Sequence, residues 1–161
     1  MATQKLQVSR ALAVTPSDFA NIPFPATKNT GTNTAVVPNQ LVDTHAGVNF
    51  YDLTIREGDI VYANSQAATV TKIVSATVLE LNNDIFAVVA TSYTIYQASA
   101  QTGSENDGCV LYIGTGGDLR VITHGGDDVT YAGLVAGNFY PVQILKVMSS
   151  GTLASNIIAH W

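Results

Sequence analysis

Short apolar runs separated by glycine-bearing turns dominate the C-terminal third of the chain, from Gly108 to Trp161. Strands at this spacing, bounded by Gly and Asp, are typical of an antiparallel β-sandwich or barrel. Glycine supplies the positive φ that tight turns require, and Asp or Asn tolerates it next best. The turn segments Gly114–Asp118 and His124–Asp128 are therefore predicted to reverse the chain as hairpins. The predicted strands are Cys109–Ile113, Leu119–Thr123, Val129–Leu134, Asn138–Met148 and Asn156–Trp161.

Near the N-terminus, the run Val8–Val14 predicts one more extended segment, which Pro16 ends. Leu12 and Val14 lie on one face of it. The polar residues 1–7 predict a fraying terminal arm.

The middle of the chain is a patterned block between two polar, turn-prone stretches, Thr27–Thr34 and Ala98–Gly108, which we interpret as linkers. The block predicts four to six short antiparallel strands. Paired linkers around a patterned block indicate a domain boundary. We therefore predict an all-β protein, with an antiparallel sandwich or barrel frame (residues 1–28 and 108–161) and a second small β domain inserted at 29–107. The clearest strands of the insert are Ile60–Tyr62, Ala67–Val74, Val78–Leu81 and Ser92–Tyr96.

Composition strengthens the strand prediction, because Thr and Val are abundant while Lys, Glu and Arg, which favour helices, are scarce. Apolar residues make up 47% of the chain and charged residues 12%, about half the usual charged share. So few charges indicate either surface hidden in an assembly or a Thr- and Asn-rich exterior. The net charge of −5 argues against nucleic-acid binding. The insert alone carries −6, so we expect it to face water while the frame faces protein.

Candidate chemistry is sparse. His45, His124 and His160 show no metal-ligand or catalytic spacing. Gly114–Asp118 lacks the lysine and following helix of a phosphate loop. Asp118, Asp127 and Asp128 could bind Ca²⁺ but are more typical of acidic turns that face water. We predict no enzymatic activity, no catalytic residue, no cofactor and no metal site. The seven tyrosines either line a sugar groove or belong to core and interface.

The single cysteine, Cys109, cannot form an internal disulfide and is predicted to be a small buried hydrophobe. We expect no signal peptide in the N-terminal stretch, and no apolar run approaches the roughly 20 residues of a membrane helix. We therefore expect synthesis in a host cytoplasm and no membrane partner.

The ordered motifs of the frame carry a family resemblance. They are Arg10–Asp18 with Ile22-Pro23, Leu111–Val121, Gly125–Asp127, Val129-Thr130, Ala136-Gly137 with Pro141-Val142, and Asn156–Trp161. In this order they resemble the head spike base family of gene transfer agents and related tailed phages. These are small virion proteins that seat a fibre on the capsid. About half of the chain takes part in the resemblance.

The insert has a resemblance of its own. Its motifs are Gly58–Val61, Ala68–Thr71, Leu79–Leu81, Asp84–Phe86 and Tyr93–Tyr96. Together they resemble a β module of virion proteins from marine tailed phages, to which no enzymatic activity is attached.

These resemblances imply a non-enzymatic virion structural protein, as a capsid-vertex spike or fibre base or a capsid decoration protein. The expected partners are further copies of the chain, as a pentamer or trimer, and a major capsid, fibre or tail protein. Two alternatives remain open: a tail or baseplate structural protein, and a carbohydrate-binding adhesin module. The predicted interface residues are Leu12, Val14, Tyr140, Ile158 and Trp161. Ile158 and Trp161 are included because both faces of the last strand carry apolar residues, which suits a strand covered on both sides.

Overall fold

A computed structural model describes residues 10–98 and 108–161 of the 161-residue chain. These residues form thirteen β-strands and no helix, which confirms the all-β prediction. The strands build two antiparallel sheets that pack together, and neither sheet closes into a barrel. In chain order the strands are β1 (Ala11–Ala13), β2 (Thr27–Thr32), β3 (Ala35–Val37), β4 (Gln40–Val42), β5 (Ile60–Ala63), β6 (Gln66–Ser75), β7 (Val78–Leu81), β8 (Ser92–Tyr96), β9 (Cys109–Thr115), β10 (Gly117–Thr123), β11 (Asp128–Leu134), β12 (Asn138–Val147) and β13 (Ser155–His160).

The first sheet has six strands in the order β1-β13-β9-β12-β10-β11. All five strands predicted in the C-terminal third are present, each within two residues of its predicted bounds. The ten-residue strand β12 pairs with β9 through its first part and with β10 through its second. The register shifts between these two parts, so the sheet bends along β12 and encloses its own core. This core contains Ile22, Cys109, Leu111, Ile113, Leu119, Val121, Ile144, Val147, Ala154, Ile157 and Ala159.

The prediction of a hairpin at Gly114–Asp118 is wrong. β9 and β10 do not pair with each other, because β12 lies between them. The glycines here allow close backbone approach instead of a reversal. A Cβ atom at Gly116 would overlap the carbonyl oxygen of Leu134, and one at Gly114 would lie 2.6 Å from the carbonyl oxygen of Asn156. The hairpin predicted at His124–Asp128 is confirmed, since β10 pairs directly with β11.

The second sheet has seven strands in the order β2-β8-β5-β6-β7-β4-β3. Strand β6 pairs with β5 through residues 66–69 and with β7 through residues 70–75. The sheet therefore bends along β6, and its two halves share one hydrophobic cluster. Loop side chains complete this core, and Phe50, Ile85 and Phe86 are almost fully buried.

The interpretation of Thr27–Thr34 as a linker is wrong, since Thr27–Thr32 forms β2 and pairs with β8. The sequence TKNTGT lacks apolar alternation because β2 is an edge strand without large buried side chains. The count of four to six strands in the insert is also too low, because β2 and β3 bring it to seven. Thr27 and Lys28, assigned to the frame, belong to the second sheet. The predicted arm (residues 1–7) and most of the second predicted linker lie outside the described residues.

A buried ion pair holds the start of β2 in place. Nζ of Lys28 lies 2.7 Å from Oδ2 of Asp59, and the side chains of Lys28 and Asp59 are only 11% and 1% exposed. The Asp59 carboxylate also accepts backbone N–H groups of Arg56, at 2.8 Å, and Ala98, at 3.1 Å. One buried carboxylate thus joins β2, the turn before β5 and the chain after β8.

Residues 14–26, here called the connecting segment, link β1 to β2 and hydrogen-bond to the six-stranded sheet. The backbone N–H of Ser17 donates to Val147, and that of Ile22 donates to Leu145. Oδ1 of Asp18 accepts both the N–H and the Oγ hydrogen of Ser150. The segment therefore runs along the second half of β12.

The same segment also binds the seven-stranded sheet. Oγ of Ser17 donates to the carbonyl of Ala67 at 3.0 Å. The carbonyl oxygen of Phe19 accepts hydrogen bonds from Thr69 Oγ1 and Asn82 Nδ2. Phe24 and Ala26 exchange backbone hydrogen bonds with Gln97. The connecting segment is thus hydrogen-bonded to both sheets.

Tyr62 marks where the two sheets meet. It packs with a small buried cluster of Ala20, Ile60 and Ala67, and its ring stacks edge-on against Tyr96 at 5.2 Å. Burial raises the pKa of the Tyr62 phenol, and Tyr96 and Cys109 add to the shift. Because Ala20 belongs to the segment that links the two sheets, Tyr62 lies at the junction. That the two parts fold independently stays a prediction.

The buried ion pair yields the first test. Replacing Asp59 by alanine leaves the Lys28 ammonium without its buried partner, which should lower the free energy of unfolding by about 3–5 kcal/mol. Asp128→Ala is the matched control, because Asp128 also forms an ion pair, with Arg120, but the side chains of this pair are substantially exposed. This variant should be nearly as stable as the wild type. Denaturant unfolding measures both, and equal losses would contradict the role given to Asp59.

A second test concerns independence of the insert. A chain of residues 24–98 should fold alone, because its core is complete and its ends pair at Phe24, Ala26 and Gln97. We expect a β-rich circular dichroism spectrum and a cooperative thermal transition. A disordered product would show that the insert depends on the frame.

Candidate functional site

The outer face of the six-stranded sheet carries an aromatic cluster. The ring of Phe139 lies 5.2 Å from Tyr112 on one side and 5.2 Å from His160 on the other. Ile158 sits directly opposite Tyr112 in the β13–β9 ladder. Phe139 is 56% exposed. These four residues, Tyr112, Phe139, Ile158 and His160, are here called the aromatic face.

Strand alternation produces this face. In β9, Cys109, Leu111 and Ile113 point into the core, so Tyr112 must point outward. Directly opposed residues on neighbouring strands share a side of the sheet, which places Phe139 and Ile158 beside Tyr112. Strands β9 and β13 and residues 138–145 of β12 contain no Asp, Glu, Lys or Arg. The aromatic face therefore lies in an uncharged part of the sheet.

The structure places the predicted interface residues on different sides of this sheet. Ile158 lies on the outer, aromatic face, whereas Leu12 pairs with the buried Ala159 and so faces the core. Val14, Tyr140 and Trp161 pack against the core cluster of their own chain. That these five residues contact a neighbouring protein stays a prediction.

Trp161 makes its contacts within the chain. Its ring meets Phe24 edge-on at 6.0 Å, and the Arg10 guanidinium lies 5.1 Å from the Phe24 ring. Arg10 and Trp161 also exchange two backbone hydrogen bonds. The C-terminal tryptophan thus closes the end of the six-stranded sheet against the connecting segment.

Four polar residues of the seven-stranded sheet and its loops, Asn29, Asp43, His45 and Tyr93, form a hydrogen-bonded cluster. Asp43 follows β4 and is 1% exposed. Its Oδ2 accepts the Tyr93 hydroxyl at 2.6 Å, and its Oδ1 accepts the backbone N–H of His45 at 3.1 Å and lies 2.7 Å from Nδ1 of that ring. Asn29 Nδ2 donates to the Tyr93 hydroxyl oxygen at 3.1 Å. The cluster bridges the two halves of the bent sheet.

The ionisation of this cluster follows from its contacts. Burial by itself would raise the pKa of Asp43. Hydrogen bonds from Tyr93 and from the His45 backbone and ring, together with the charge on His45, outweigh burial and hold the Asp43 pKa below its ordinary value. Burial, reinforced by the neighbouring carboxylate, raises the pKa of the Tyr93 phenol. Asp43 is therefore ionised and Tyr93 protonated at neutral pH.

An open depression surrounds this cluster. Its walls are Thr30, Gly31 and Thr32 of β2, Ser92, Tyr93 and Thr94 of β8, and Asp43, His45 and Val48. Gly31 lies against the cluster, where an added Cβ would come within 2.7 Å of both Asp43 Oδ2 and the Tyr93 hydroxyl. The His45 side chain is 58% exposed at the rim.

Sequence reasoning missed this cluster because it treated the histidines as isolated. One signal was available in the sequence: Asp43 stands two residues before His45 at the end of a strand. At this spacing an Asp side chain can accept a hydrogen bond from the backbone N–H of the second residue after it. The contribution of Tyr93, fifty residues away, could not be read from spacing.

The remaining sequence candidates have structural roles. Cys109 is buried, its Sγ donates to the carbonyl of Ile144, and burial raises the pKa of its thiol to about 12. Asp118 accepts the backbone N–H of Gly133, and Asp128 pairs with Arg120. Across residues 10–98 and 108–161, no group of three or more His, Cys, Asp or Glu is placed to hold a metal ion.

Comparisons with known proteins found no matching family model, no matching curated protein and no matching solved structure. In the part of the chain that the structure describes, no helix is long and apolar enough to cross a membrane.

The Asp43 cluster yields the third test. The pKa of Asp43 is lower in the folded chain than in the unfolded chain. The ionised Asp43 side chain therefore stabilises the fold above the unfolded-state pKa of about 4, and this stabilisation is lost as pH falls through the folded-state pKa. Asp43→Asn should cost roughly 1–3 kcal/mol at pH 7 and flatten the acid limb of a stability–pH curve. Glu57→Gln, at an exposed position, is the control. An acid limb unchanged in Asp43→Asn would contradict the argument.

Proposed function

We propose that this chain is a non-enzymatic structural protein of a tailed-phage particle, acting as a spike or fibre base or a decoration protein at a capsid vertex. The observation that carries the proposal is the aromatic face on the six-stranded sheet. The family resemblance of the frame and the low charged fraction support it. The proposed location is the capsid surface of the virion.

Partial exposure of clustered aromatic rings in an uncharged region is unfavourable for a protein that stays alone in water. Protein interfaces are enriched in aromatic residues and depleted of charge at their centres. The aromatic face has both properties, since Phe139 is more than half exposed and strands β9 and β13 and residues 138–145 of β12 contain no Asp, Glu, Lys or Arg. This combination supports a docking surface for another protein.

The proposed partners are further copies of the chain and a major capsid or fibre protein. Among the described strands, the six-stranded sheet has two different edge strands, β1 and β11, and one aromatic face. If this face contacts a different surface of the next copy, the contact is heterologous and closes into a ring when the rotation permits. A pentameric ring would match a capsid vertex, and a trimeric ring would match a fibre.

This assembly role generates the fourth test. The purified chain should form a closed ring of three or five copies in native mass spectrometry. Phe139→Ser should weaken assembly by roughly tenfold or more, because a central aromatic contact contributes at least about 1–2 kcal/mol. Thermal stability of the protomer should change little, since Phe139 lies outside the core.

Tyr51→Ser is the matched control, because Tyr51 is also 56% exposed but belongs to the insert. It should assemble like the wild type. A wild-type chain that stays monomeric at high concentration, or equal weakening by both substitutions, would contradict the proposed docking surface.

A further inference from the structure

We infer that residues 87–90 of the insert, here called the apolar loop, dock on the aromatic face of a neighbouring copy of the chain. The inference rests on the proposed assembly role and deepens it, because a heterologous contact requires a second, different surface and the apolar loop supplies one. It depends on a run of exposed apolar side chains, on the hydrogen bonds that fix this run, and on the distribution of charge between insert and frame.

The apolar loop exposes four apolar residues in succession. Ala87, Val88, Val89 and Ala90 are all exposed, Val88 at 63% and Val89 at 57%. This is the longest run of exposed apolar residues in the part of the chain that the structure describes. A run of this length on a surface is unfavourable in water unless it has a function. The loop is therefore suited to contact with another apolar surface.

A buried asparagine holds the apolar loop in one conformation. Asn33 is 1% exposed. Its Nδ2 donates to the carbonyl of Val88 at 3.0 Å, and its Oδ1 accepts the N–H of Thr91 at 2.8 Å. The carbonyl of Asn33 also accepts the N–H of Ala90, and its N–H donates to the carbonyl of Thr91. A loop fixed in this way loses little conformational freedom on binding, so more of its contact energy contributes to affinity.

The surroundings of the apolar loop are as uncharged as the aromatic face. Residues 30–42 and 85–97, which include Asn33 and the loop, contain no Asp, Glu, Lys or Arg. Contact between two uncharged apolar surfaces buries no unpaired charge, whereas a charged partner would lose its solvation there without gaining a counter-charge. Val88 and Phe139 are both exposed in the single chain, so loop and face do not cover each other within it. A second copy supplies the uncharged aromatic partner.

The distribution of charge favours contact between unlike parts of two copies. The whole chain carries −5 and the insert −6, which leaves +1 on the frame. Two acidic inserts that met loop to loop would repel each other, whereas an acidic insert beside a slightly positive frame would not. The favoured arrangement is therefore the apolar loop of one copy on the aromatic face of the next, which is a heterologous contact.

The first experiment introduces single charges into the full chain and follows ring assembly by native mass spectrometry. Val88→Asp should weaken assembly by roughly a hundredfold or more, because docking would bury an unpaired carboxylate. Val89→Asp should do the same, which covers the case that Val88→Asp fails to fold. Val74→Asp is the matched control, since Val74 is a 46% exposed valine on β6 of the same insert, and it should assemble like the wild type.

A mixing experiment at high protein concentration identifies the partner surface. Phe139→Asp retains an intact apolar loop, and Val88→Asp retains an intact aromatic face. Each variant alone should stay monomeric, whereas an equimolar mixture should form a mixed dimer with one intact contact and no ring. Dimers of Val88→Asp alone would indicate contact between two aromatic faces, and dimers of Phe139→Asp alone would indicate contact between two loops. Either result, or a mixture that stays monomeric, would overturn the inference.

Failure of this contact and failure of the assembly role are distinguishable. If the wild type, Val88→Asp and Val89→Asp all form rings equally well, the loop contact is wrong and the proposed assembly role stands. If the wild-type chain stays monomeric at high concentration, both are wrong.

Discussion

The structure depends on the connecting segment, residues 14–26, because this segment forms hydrogen bonds with both sheets. Ser17 alone takes part in both contacts: its N–H donates to Val147 in β12, and its hydroxyl donates to Ala67 in β6. The same hydroxyl accepts the N–H groups of Phe19 and Ala20. Since buried polar groups are costly when unpaired, these bonds fix the path of the segment and the junction between the sheets.

Two buried carboxylates fix the seven-stranded sheet in a comparable way. Asp59 joins Lys28 of β2 to the backbone before β5 and after β8, and Asp43 joins the end of β4 to Tyr93 of β8. Each replaces solvation by several hydrogen bonds, which a buried charge requires. A chain with few charges thus places two of its carboxylates inside, where they join strands from different parts of the sheet.

The outer surface differs between the two sheets. The frame presents a cluster of aromatic rings around Phe139, whereas the insert presents the hydrogen-bonded cluster of Asp43, Tyr93 and His45. Apolar rings favour contact with another protein. The proposed assembly role therefore depends on the frame.

The sequence by itself determined the all-β class and most strands, because apolar alternation and Gly–Asp turns report which residues are extended. It could not determine pairing. The Gly114–Asp118 segment was predicted as a hairpin, yet β12 separates β9 from β10, and these glycines serve close approach to Leu134 and Asn156. The polar edge strand β2 was missed because no alternation marks it. Only the tertiary structure brought Asp43 to Tyr93 and Phe139 to His160, since such contacts join residues far apart in the chain whose proximity depends on how the sheets bend.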